Sequence, residues 1–86
     1  MERIDLPMPS DPVAWVRDFA AQHELVVLES SLVTLPGCTH WHLRKAGSSG
    51  TLELTWWPRT EEFWASVHAN RHADWMEPLL AQLRAD

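Results

Sequence analysis

At Glu24 the spacing of apolar residues changes from three and four to two, and that switch limits the chain to a helix followed by strands. Upstream, Val13, Val16 and Ala20, with Trp15 and Phe19 beside them, recur at helical steps, while Arg17 and Asp18 fall off that stripe. Asp11 can accept from the free amides of the first turn, and Pro12 loses nothing there by lacking an N–H, so a helix is predicted from Pro12 to Gln22. Downstream, four runs alternate: ELVVLESSLVT, THWHLRKA, TLELTWW and FWASVHA. Their separators, LPGC, GSSG and PRTE, carry Gly, Pro or Ser suited to short connections, which favours an antiparallel meander.

Residues 61–72 also fit the opening of a long helix. Phe63, Ala65, Val67 and Ala69 nevertheless alternate with Trp64, Ser66, His68 and Asn70, and the strand is preferred on that ground. The chain closes on a second helix, with Asp74 as cap, Glu77 three residues on, Pro78 still in the first turn, and Trp75, Met76, Leu79, Leu80 and Leu83 as its buried stripe. The expected fold is α+β: a two-layer sandwich of order α-β-β-β-β-α, with a four-stranded meander and both helices on one face. Residues 1–10 are an extended leader and 11–86 a single domain.

Four-residue loops also imply a register. Closing pairs would be Thr34 with Thr39, Ala46 with Thr51 and Trp57 with Glu62. The core face then holds Leu28, Ser30 and Leu32 with Trp41, Leu43, Lys45, Leu52, Leu54, Trp56, Phe63, Ala65 and Val67. The outer face holds Val33, His40, His42, Thr55, Trp57 and Trp64, and sets Arg44 between Glu29 and Glu53.

Charge narrows the function classes. Seven Lys and Arg against twelve Asp and Glu give a net charge of −5 with no basic run, so nucleic acid would meet a repulsive field. A single cysteine excludes an intrachain disulfide, and the start MERIDLPMPS lacks the layout of a signal peptide; no membrane association and a cytoplasmic location are expected. If the fourth run were absorbed into a helix, the order α-β-β-β-α would resemble the double-stranded RNA-binding domain. That family opens its last helix with basic residues, whereas the region here reads HADWMEP, so RNA binding does not carry over.

Two features are candidates for chemistry. CTHWH places Cys38, His40 and His42 within five residues. His40 and His42 project from one strand face and could share a metal, but need a third ligand. In the implied register Cys38 is displaced from His42 by roughly 13 Å at the usual strand rise, His68 lies as far the other way, and Glu53 is engaged by Arg44. No catalytic constellation is found, and no enzyme or cofactor is expected.

The other feature is tryptophan, six in 86 residues. Trp15, Trp75, Trp41 and Trp56 fit core positions. Trp57 and Trp64 remain on the outer face beside His40, His42, Thr55 and Val33, a surface that asks for a cover. The cover could be a protein partner or second copy, the leader through Ile4, Leu6 and Met8, or a ligand with a π-face. The expectation is a non-enzymatic interaction module, a homodimer or partner-binder through this face; the alternative is a small-ligand or metal-binding domain using His40 and His42.

Overall fold

The computed structural model describes residues 2–30 and 37–85. Helix α1 (Pro12–Gln22) begins as its cap chemistry dictates: the Asp11 carboxylate accepts from the Ala14 amide at 3.1 Å, and Pro12 takes the first helical position. Its buried stripe is Val16, Phe19 and Ala20. Strands β1 (Glu2–Asp5), β2 (Leu25–Ser30), β3 (Thr39–Lys45), β4 (Leu52–Trp57) and β5 (Glu62–Val67) form one antiparallel sheet in the order β1-β5-β4-β3-β2. Residues 62–67 are therefore strand, as alternation predicts, and single 3-10 turns at Ala69–Arg71 and Asp74–Met76 lead into α2 (Glu77–Ala85). The second of these turns stands where a capping box through Asp74 was expected.

The fold is the expected α+β sandwich with a fifth strand added. That strand comes from the leader. Glu2–Asp5 pairs antiparallel with β5, placing Ile4 opposite Ala65, and Ile4 and Leu6 pack against the core instead of crossing the outer face. The core is a single cluster in which Val16, Phe19, Met76, Leu79, Leu80 and Leu83 from the helical side meet Trp41, Leu43, Leu52, Leu54, Phe63, Ala65 and Val67 from the sheet. Both helices thus lie on one face.

Register agrees with expectation in one hairpin and differs in two. Trp57 stands opposite Glu62, as predicted. Between β3 and β4, however, Leu43 faces Leu52 and His42 faces Glu53, two residues away from the expected pairing. The cause is at the loop. The Thr51 N–H, which the shorter hairpin would have used across the ladder, donates instead to the Arg71 carbonyl at 3.0 Å, and the chain turns between Lys45 and Ser48. A shift of two preserves the faces but changes every neighbour.

Between β2 and β3 the shift is odd. Leu25 faces Lys45 and Val27 faces Leu43, so Leu25, Val27 and Glu29 point to the core side while Val26 and Leu28 point outward. The pattern LVVL is apolar at both parities, so alternation could not choose between them. Glu29 consequently accepts from Trp41 Nε1 at 3.0 Å, and Arg44 stands opposite Val26; the arrangement of Arg44 between two glutamates does not form. Leu32, Val33 and the expected Thr34–Thr39 pair involve positions outside the described residues.

Gly50 decides how the segment after β5 sits. It adopts φ +94°, where an L side chain is strained, and a Cβ there would stand 2.7 Å from Met76 Cε and 2.8 Å from the Arg71 carbonyl oxygen. Trp75 Nε1 adds a 2.7 Å bond to the Ser49 carbonyl. The stretch carrying His68 and Arg71 is thereby held against the β3–β4 connection.

Candidate metal centre

Strand β3 alternates, so His40 and His42 leave the same face, the one opposite the helices. Register supplies their neighbours. Thr55 of β4 stands opposite His40, Glu53 opposite His42, and Trp64 and Ser66 of β5 complete the same two rows. In the register that the sequence implies, Glu53 faces Arg44. The two-residue shift at the Thr51 loop removes it from Arg44 and delivers its carboxylate to the histidines.

Three imidazoles then converge on that carboxylate. His40 Nε2 is 2.8 Å and His42 Nε2 3.4 Å from Glu53 Oε1, while His68 Nε2 is 3.2 Å from Oε2. His68 follows the last residue of β5 in an extended conformation, which turns its ring back toward β4. The ligand atoms of His40, His42 and Glu53 all lie within 4.8 Å of one another, with the two imidazoles edge to face at 4.9 Å between centroids. Cys38, although buried, is not a member of this group.

Burial makes the arrangement costly unless it is compensated. His40 is 5% exposed and Glu53 6%, yet Glu53 Oε2 accepts no hydrogen bond among the described residues. His68 Nε2 is near enough, but its N–H is not aligned with that oxygen; the 3.4 Å contact from His42 is likewise not a hydrogen bond. Two side chains that approach without pointing at each other stand as ligands do around a shared third point. Ligands about 2.1 Å from a tetrahedral ion are about 3.4 Å apart, the separation already present between His42 and Glu53.

The two partners of His40 fix its tautomer. His40 Nδ1 is 2.7 Å from Thr55 Oγ1 and its Nε2 bonds the Glu53 carboxylate, which can only accept when ionised. A neutral His40 therefore carries its proton on Nε2 and accepts the Thr55 hydroxyl at Nδ1. On metal binding the proton would shift to Nδ1, and the hydroxyl, able to accept as well as donate, would keep the bond. His42 is held below the usual imidazole range, first by burial and then by His40, Arg71 and Arg44, against the opposing pull of Glu53. Its lone pair is thus free near neutral pH.

No protein-family model, curated protein or solved structure matches this chain.

The remaining residues of the expected surface are less available than the sequence suggests. Trp64 is only 8% exposed, because the Arg3 guanidinium of β1 lies 4.0 Å from its ring centroid. Trp57 is half-buried, with Nε1 buried and without a partner among the described residues, and Thr55 is buried beneath His40. Val33 lies outside the described residues. The outward apolar area is instead at Val26 and Leu28 on edge strand β2. Glu53 could have been found from one sequence signal, the outward parity it shares with Thr55 beside two histidines of like parity, had the loop length been known.

Proposed function

We propose that this chain is a binding module, not an enzyme, that holds one divalent first-row transition ion of the zinc type through His40, His42 and Glu53. The observation that supports it is the Glu53 carboxylate: buried, hydrogen-bonded at Oε1 by His40 and approached there by His42, and without a hydrogen bond at Oε2 among the described residues. A half-satisfied buried carboxylate destabilises a small domain, and a cation placed among the three donors would offset that cost. Two imidazoles and one carboxylate suit zinc and its late first-row neighbours. The test is zinc titration against a chromophoric chelator. One zinc should bind per chain, and Glu53→Gln and His42→Ala should each weaken it by about 100-fold or more while leaving the circular dichroism of the protein unchanged. Failure to bind zinc, or binding that both variants leave intact, would contradict the proposal.

A second reading, that the module self-associates or docks a protein partner in the cytoplasm, draws on Val26 and Leu28, which are 51% and 49% exposed on an edge strand. Light scattering across a concentration range tests self-association: a mass above one chain that Leu28→Lys returns to the monomer supports it, and a monomer throughout removes it. No helix among the described residues is long and apolar enough to cross a membrane.

A further inference from the structure

Three protein donors leave a four-coordinate ion one position short. His68 does not fill it in this arrangement, since its Nε2 lies on the second oxygen of Glu53 and outside the group of ligand atoms formed by His40, His42 and Glu53. Its approach to that oxygen is close but makes no hydrogen bond. The direction of the vacant position follows from burial. Thr55, Trp64 and Ser66 close the site on one side, whereas the side chains of His42 and His68 are 28% and 47% exposed on the other.

Two arginines stand on that open side. Arg44 is the next residue along β3 to leave the outer face after His42, about 7 Å further on at the usual strand rise. Arg71 arrives from the chain beyond β5: its carbonyl accepts from Thr51, two residues before Glu53, and its own amide donates to the His68 carbonyl at 2.8 Å. The missing side chain of Gly50 permits that approach. Neither arginine forms an ion pair among the described residues, although the chain carries five more acidic than basic side chains.

The geometry points to a phosphate group as the fourth ligand, coordinated to the metal held by His40, His42 and Glu53 and clamped from the rim by Arg71 and Arg44. The metal and Glu53 together leave one positive charge, and the two guanidiniums add two more, which matches a dianion with several acceptor oxygens better than a single carboxylate. This rests on the metal-binding reading above.

Cobalt(II) in place of zinc makes both steps visible, because a tetrahedral cobalt band reports metal binding and its displacement reports a new ligand. Inorganic phosphate should shift the band of the cobalt-loaded protein with saturation at one phosphate per metal, and acetate should bind about tenfold more weakly. Phenyl phosphate run beside it tells a free anion from a phosphomonoester: tighter binding than inorganic phosphate assigns the ester, weaker binding the free anion. Arg71→Ala and Arg44→Ala, both at exposed positions, should keep the cobalt band and each raise the dissociation constant for phosphate by about tenfold. A cobalt band that phosphate does not move, or phosphate binding indifferent to both arginines, overturns the inference and leaves the metal site standing. Absence of the cobalt band sinks both.

Discussion

On the helix-covered face Leu43, Leu52, Leu54 and Ala65 are fully buried; on the other face of the same strands, where neither helix packs, His40, Glu53, Thr55 and Ser66 are buried almost as deeply. The first set is buried by a force without direction, so any apolar group of suitable volume serves. The second consists of polar groups whose burial is tolerable only when each finds a partner, and one oxygen of Glu53 does not. Equal burial therefore means different things on the two faces. One stabilises the fold, and the other leaves an electrostatic demand unmet, which a cation would answer.

The contrast breaks most readily at the core. Trp41→Ala removes an almost fully buried indole and leaves Glu29 without its donor, and should cost about 3–5 kcal/mol in chemical denaturation, enough to unfold a domain of this size. In the metal-free protein Glu53→Gln should move stability by only about 1 kcal/mol, since the amide oxygen can still accept from His40. Equal losses from the two variants would erase the distinction between the faces.

Thr55→Val sharpens it on the polar side. The exchange keeps volume but deletes the hydroxyl that serves His40 Nδ1, so zinc affinity should fall by about 10- to 100-fold with the metal stoichiometry retained. An unchanged affinity would mean that His40 is not a ligand.

Acid gives the smallest and most specific effect. The unfolded imidazole of His42 takes up its proton near its ordinary value of 6.5, whereas the folded one is held lower by burial, with Glu53 opposing and His40, Arg71 and Arg44 assisting. In the window below that value the unfolded chain binds more protons, so stability of the metal-free protein declines as the pH falls. Denaturation midpoints between about pH 7.5 and pH 5 should show a shallower decline in His42→Asn, and an identical decline would remove His42 from the account.

The two faces also differed in how far they could be read from sequence. Alternation identified Trp41, Leu43, Leu52, Leu54 and Ala65 as core, because those residues obey one period and burial rewards it whatever stands opposite. The helix at Pro12–Gln22 was readable for a similar reason, its cap and stripe being local. A site built across strands depends on register, and register depended on the Thr51 amide leaving the hairpin for Arg71, a contact twenty residues away in sequence. His40 and His42 are therefore visible as a pair in the sequence, while the Glu53 carboxylate that lies beside both falls to Arg44 in the implied register. The strand at Glu2–Asp5 stayed hidden because four residues of mixed character carry no period strong enough to separate a strand from an extended leader.

Long-range 1H–15N NMR of the imidazole nitrogens, recorded before and after one equivalent of zinc, tests the central claim at the atoms concerned. Nε2 of His40 and of His42 should both move to the metal-bound range, with the His40 proton appearing on Nδ1, while His23 and His72 stay as they were. Zinc that leaves His40 and His42 unshifted, or that shifts His72 in their place, would contradict the account.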